Sequence, residues 1–230
     1  MHLKSLQLYT QNLAGQIAFY TEVLGLRPLE QSDRMVSYQL GATVLRFLQV
    51  LDRCTPYHYA INIPSNKTTQ ALEWLKPRLE KQNNGVLTND GLEVVDFSAW
   101  NAEAIYFYDA DRNIVEFIAR KNLDNESVGE FTAGDFLEVS EIGVPLNAIE
   151  TGCRSLFQIE GVHVFDGSFD RFCAIGDEQG LFICIDTNKK DWFPTGDTAY
   201  ASPFKVEVIS QKKRFVCVFE GGKLQVEELS

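Results

Sequence analysis

A strand, a helix and then three further strands recur along this chain, and hairpins of similar pattern fall at near-equal spacing around Gly41, Asp111 and Glu178. Residues 5–10 alternate in the manner of a strand, and Asn12 offers an N-cap to a segment with apolar positions at Leu13, Ile17, Tyr20 and Val23 that ends at Gly25. Residues 35–40 and 44–50 read as an antiparallel hairpin across a Gly-Ala turn. The order restarts at residues 57–63, where Ser65 or Asn66 can cap a helix carrying Ala71, Leu72, Leu75 and Leu79. Pro77 removes a backbone donor within that helix and predicts a kink. Strands over 92–97, 104–108 and 114–119, the last two flanking an aspartate-rich turn, complete a second unit near Arg120.

Residues 121–135 are polar and without sustained period, which predicts a linker. A third unit follows: a strand over 136–146, a short helix over 147–157, a strand over 162–165 and a hairpin formed by 172–175 and 181–185. Beyond Trp192-Phe193-Pro194 only extended segments remain, at 204–209, 215–219 and 224–226, so the fourth unit has lost its helix. Duplication of one small module explains the repeat most economically. A βαβββ module leaves one sheet face unburied, so modules are expected to pair and curl into half-barrels with helices packed outside. The expected fold class is α+β: residues 1–120 form one domain of two modules, 121–135 a linker, and 136–230 a second domain of one full and one degenerate module.

The charge balance, 21 basic against 32 acidic side chains for a net −11, opposes the phosphate contacts that dominate nucleic-acid affinity. No apolar run approaches the ~20 residues that span a bilayer, and the first residues lack a signal-peptide pattern, so a cytoplasmic protein with neither membrane nor nucleic-acid partner is expected. Five scattered cysteines, four of them in apolar runs, predict reduced and mostly buried thiols. No Gly-rich phosphate loop or nucleophile elbow is present, which leaves hydrolase and nucleotide-dependent chemistry without support.

Residues 12–26, with Phe19-Tyr20 followed by Leu24-Gly25-Leu26, resemble the first helix of the vicinal oxygen chelate superfamily, which includes glyoxalase I, extradiol ring-cleaving dioxygenases, fosfomycin-resistance enzymes and bleomycin-binding proteins. Residues 106–117 are similar to the last hairpin of that family, an aspartate-rich turn followed by a strand bearing a metal-binding glutamate. The resemblance is clear over residues 1–120 and rests on architecture over 136–230. It implies that Glu116 is a metal ligand and the catalytic carboxylate, and that His58 is a second ligand. The position of the other ligand histidine falls on Ser5, so the usual ligand set is incomplete. It further implies a small-molecule substrate and a divalent ion, iron, manganese, zinc or nickel, that binds two neighbouring substrate oxygens; relatives pair their modules either within one chain or across a homodimer, and the sequence leaves both open.

Strand alternation puts Ser5, Gln7 and Tyr9 on one face, His58, Ala60 and Asn62 on another, and Ile114, Glu116 and Ile118 on a third. His58 and Glu116 can therefore meet in one cup. Gln7, two residues along on the same face, is the candidate to supplement Ser5, since the resemblance extends to glyoxalase-like members with a glutamine as first-module ligand, although an amide oxygen prefers hard cations. Arg46 occupies the place in the first module equivalent to Glu116; a fixed cation there could pair with Glu116 or clamp an anionic substrate, with Tyr9 beside it. Two functions follow: a metal-dependent enzyme of glyoxalase-like lyase or extradiol dioxygenase type, or a metal-free binding protein of the bleomycin-resistance type. His163 and Glu141 are read as structural, since the positions partnering Glu141, Ile183 and Cys184, are apolar or soft.

Overall fold

The computed structural model describes residues 1–229. In chain order its elements are β1 (His2–Thr10), α1 (Leu13–Ala18, continued by a π-helical turn over Phe19–Val23), β2 (Pro28–Ser32), β3 (Met35–Leu40), β4 (Thr43–Gln49), β5 (His58–Ile63), α2 (Thr68–Glu80), β6 (Val86–Leu87), β7 (Val95–Phe97), β8 (Ala102–Tyr108) and β9 (Ile114–Arg120). They continue with β10 (Glu138–Leu146), α3 (Ile149–Gly152), β11 (Val164–Ser168), β12 (Phe172–Asp177), β13 (Gly180–Asp186), β14 (Phe204–Ser210), β15 (Lys213–Glu220) and β16 (Lys223–Leu229). Asn12 caps α1 as its position predicts, accepting from the Gly15 amide at 3.1 Å. Helix α2 starts after Lys67 rather than at Ser65 or Asn66, and it runs through Pro77 to Glu80. The segment expected as a linker ends in a 3-10 turn at Ala133–Asp135, closed by a reciprocal cap between Thr132 and Asp135. No helix of the described residues is long and apolar enough to cross a membrane.

The strands form two mixed sheets, β16-β15-β14-β1-β4-β3-β2 and β11-β12-β13-β10-β5-β9-β8-β6, with β7 also paired to β8. The sheets do not divide where the expected halves 1–120 and 136–230 meet. Each takes one unit from either half: β1 of the first unit pairs antiparallel with β14 of the fourth, and β10 of the third with β5 of the second. Both cups are therefore completed within one chain. The duplication is visible in detail, because β1 and β10 each carry an irregularity at the matching place, between Leu3 and Ser5 and between Val139 and Glu141.

One apolar core joins a face of each sheet to the helices, through Leu6, Leu45 and Phe47 on one side, Ile61 and Phe117 on the other, and Tyr20, Leu75 and Leu79 between. The units are also tied by polar contacts. Ala42 donates from its amide to the Leu137 carbonyl at 2.7 Å, and a Cβ on Gly41, whose φ is +50°, would collide with that same backbone. Asp109, buried in the turn between β8 and β9, accepts from the amides of Asp111 and Asn113, from Asn113 Nδ2 at 2.8 Å, from Gln16 Nε2 at 3.0 Å and from the Tyr20 hydroxyl. The aspartate-rich turn thus anchors the β8–β9 hairpin to α1 and its π-helical turn, and fixes where β9 begins. Replacing Asp109 with Ala leaves several buried donors unpaired and is expected to cost about 3 kcal/mol of unfolding free energy. Urea denaturation measures this, and a loss below about 0.5 kcal/mol, the size of an ordinary surface change, would contradict the anchoring role.

Candidate metal centre

Strand alternation and one bulge assemble a buried cluster on the second sheet. His58 on β5 and Glu116 on β9 lie on neighbouring parallel strands whose register pairs Ala60 with Glu116. On the other side of β5, β10 brings Glu141 opposite Ala60 and Glu138 opposite Asn62. Residues three apart on a regular strand would face opposite ways; the irregularity between Val139 and Glu141 lets both carboxylates face the cup. One ligand atom from each of His58, Glu116 and Glu141 lies within 4.8 Å of the others, and all three residues are buried.

The electrostatics of the cluster are unbalanced. Burial lowers His58 to about 4, so the imidazole is neutral at ordinary pH. Its Nδ1 lies 3.3 Å from the Ile114 carbonyl and serves as the donor, which leaves the Nε2 lone pair directed at Glu116 Oε2, 3.6 Å away. Burial, with the neighbouring Glu141 charge, pushes Glu116 well above the usual carboxylate range, while the Arg120 guanidinium and Tyr106 hydroxyl act in the opposite sense. Burial raises Glu141 too, opposed by Arg120. Arg120, fully buried, donates to Glu141 and, through Nε, to Asn62 Oδ1 at 3.2 Å; its Nη1 has no partner among the described residues. Two carboxylates thus face one guanidinium. An imidazole lone pair opposed to a carboxylate oxygen, with a second carboxylate close by, is a donor set that fits a divalent cation of the manganese, iron or zinc kind.

The cluster lines a cavity of about 400 Å³. Phe97, Trp100, Tyr106, Phe172, Trp192 and Phe193 supply its aromatic walls. Trp192 reaches in from the segment between β13 and β14, with its ring 5.0 Å from that of His58. Gly143 makes room for it, because a Cβ there would come within 2.6 Å of the indole.

Of the residues picked from sequence, His58 and Glu116 come together, and the others do not join them. Ser5, Gln7 and Tyr9 lie on β1 and Arg46 on β4, all in the other sheet, where Ser5 is paired with Val44 and Glu207 and Gln7 with Arg46 and Lys205. Arg46 is 3.9 Å from Glu30, not beside Glu116, and so neither takes the place of an ion there nor clamps a ligand in this cavity. The reason is the pairing: the first unit closes on the fourth, so its residues face a separate cup. Sequence reasoning weighed Glu141 and set it aside as structural, and it did not single out Arg120 or Trp192. The signal for Glu141 was a pair of carboxylates, Glu138 and Glu141, in a strand otherwise dominated by apolar residues, at the place equivalent to His58 in the third unit.

No protein-family model matches the sequence, and no curated protein matches it. Among solved structures, a protein from Bacillus subtilis described as a candidate dioxygenase aligns with 99% of this chain and 84% of its own at a TM-score of 0.61 and 15% identity. Glyoxalase I from Zea mays aligns with 99% of this chain and 92% of its own at 0.57 and 12% identity. At these identities the likeness is one of fold. The chain shares its fold with these two proteins, tandem βαβββ units paired into curved sheets.

Removing only the cation of the buried pair tests its electrostatic role. Arg120→Met is expected to cost about 3–5 kcal/mol, because Glu141 and Glu116 lose their only close countercharge, whereas Arg120→Met combined with Glu141→Met recovers most of that loss. Urea unfolding of both variants and of Glu141→Met in chelator measures the coupling; simple additivity of the two single effects would contradict it.

Proposed function

We propose that the protein is a divalent-metal-dependent enzyme acting on a small molecule that presents two neighbouring oxygens. The observation that carries this reading is the convergence of one neutral imidazole and two buried carboxylates in an aromatic-walled cavity. His58 Nε2, Glu116 and Glu141 would hold the ion, and the reaction is of the glyoxalase-like or extradiol dioxygenase kind. A divalent ion bound there supplies Lewis-acid stabilisation of negative charge developing on the substrate oxygens.

The chain's own groups do the rest. Glu116, made more basic by burial and by Glu141, is the group that takes a substrate proton onto its carboxylate. Tyr106, which adjoins Glu116 and whose hydroxyl is pushed well above its ordinary value by burial, stays protonated and serves as a hydrogen-bond donor. Trp192 and Phe193 shield the cluster from water, which strengthens each electrostatic contact inside. Isolation of this chemistry in one chain removes any need for a dimer to complete the site.

A second reading is favoured by the Arg120–Glu141 contact: a metal-free binding protein in which the guanidinium supplies the positive charge. Metal analysis of purified protein separates the two. About one equivalent of ion per chain is expected, lost in His58→Ala and Glu116→Gln; with Glu116 holding its proton more firmly than a free carboxyl, affinity for manganese or zinc should rise as pH is raised from 5 to 8. Absence of stoichiometric ion after incubation with these metals, with ligand binding untouched by chelators, would favour the binding protein.

A further inference from the structure

The cavity's charged residues carry information beyond its metal-ligand cluster. Besides the buried cluster it is lined by Asp166, Arg171 and Lys190. Asp166 is already committed, accepting from Trp100 Nε1 at 2.6 Å and from the Gly167 amide at 2.7 Å. The two cations are not. Among the described residues, neither Arg171 nor Lys190 has an ion-pair partner or a side-chain hydrogen bond, although neighbouring Lys189 is held by Asp170 and Asp186. Arg171 is exposed and Lys190 half-buried, so they stand at the cavity's solvent side.

Two uncommitted cations at one cavity are out of character with a chain of net charge −11. They also stand close enough to repel: burial lowers the Lys190 ammonium, and the Arg171 charge lowers it further. Lys190 in turn acts on His58, helping to keep the imidazole neutral. The nearby carboxylates are engaged elsewhere, Asp170 by Lys189 and Asp166 by Trp100, although the Arg171 charge also reaches Asp170; a guanidinium beside an ammonium suits an oxyanion that bridges them. Trp100, Phe172 and Phe193 offer flat apolar surface in the same cavity.

Resting on the reading of this cavity as the active site, we propose that its substrate is an aromatic or similarly flat apolar molecule bearing a carboxylate, sulfonate or phosphate, with the anionic group held by Arg171 and Lys190 and the apolar body against the aromatic walls.

The test uses metal-free, chelator-treated protein, so that it does not depend on the ion. Three probes of one shape are titrated by calorimetry and by quenching of tryptophan fluorescence: 2-naphthoate, its neutral amide, and 2-naphthylmethylammonium. The anion is expected to bind at least about tenfold more tightly than the amide, a difference of about 1.4 kcal/mol, and the cation more weakly than either. Discrimination between anion and amide should collapse to about twofold in Arg171→Ala/Lys190→Ala and stay in Arg171→Lys/Lys190→Arg. Equal affinity for naphthoate and its amide, discrimination that survives the double alanine variant, or no binding of any of the three would overturn the proposal. Anion selectivity without stoichiometric metal would instead retain this substrate class and remove the metal-dependent chemistry.

Discussion

Burying two carboxylates and an imidazole on one sheet face against a single guanidinium is the constraint from which the rest of this structure can be understood. An uncompensated charge in an apolar interior is costly enough that a fold retains it only where something else answers it. Here Arg120 answers Glu141, Asn62 links Arg120 to Glu138, and Glu116 is left facing a neutral imidazole. The arrangement is poised for positive charge. A proton on Glu116 can supply part of it, and a divalent ion can supply all of it.

The duplicated architecture explains why only one of the two cups has this property. Register places Arg46 of the first unit and Ile183 of the third at the position of Glu116, and Ser5 and Glu141 at matching positions one strand away. Among these positions only the pairing of the second and third units brings an imidazole and two carboxylates to one surface. The first and fourth units bring Ser5, Gln7, Arg46, Lys205 and Glu207 to the equivalent surface, which is polar but has a serine in place of His58. The duplicated units thus present one cup with an imidazole and two carboxylates and one with mixed charge.

Much of this was legible from sequence, for identifiable reasons. The aspartate-rich turn before Glu116 and the Asn12 cap are local signals, set by hydrogen bonds between residues a few positions apart, and both form as expected. His58 and Glu116 were picked out by the resemblance of the second unit to a known family pattern, and strand alternation showed only that the two could meet in one cup. Which unit pairs with which is a long-range property that periodicity does not encode, so Ser5, Gln7, Tyr9 and Arg46 were grouped with a cup they do not face. Glu141 was hidden by the same ignorance of pairing, and by a bulge that turns two carboxylates three residues apart toward one side. Trp192 was hidden because its place depends on the absent side chain of Gly143 on a distant strand.

The central claim is that His58, Glu116 and Glu141 together hold one cation. Diffraction from crystals soaked in manganese, recorded at a wavelength where the metal scatters anomalously, addresses it most directly. A single strong anomalous peak bonded to His58 Nε2 and to an oxygen of each glutamate is the predicted result. A map without that peak, in which Glu141 remains fully engaged by Arg120 and Glu116 stays hydrogen-bonded within the protein, would contradict it.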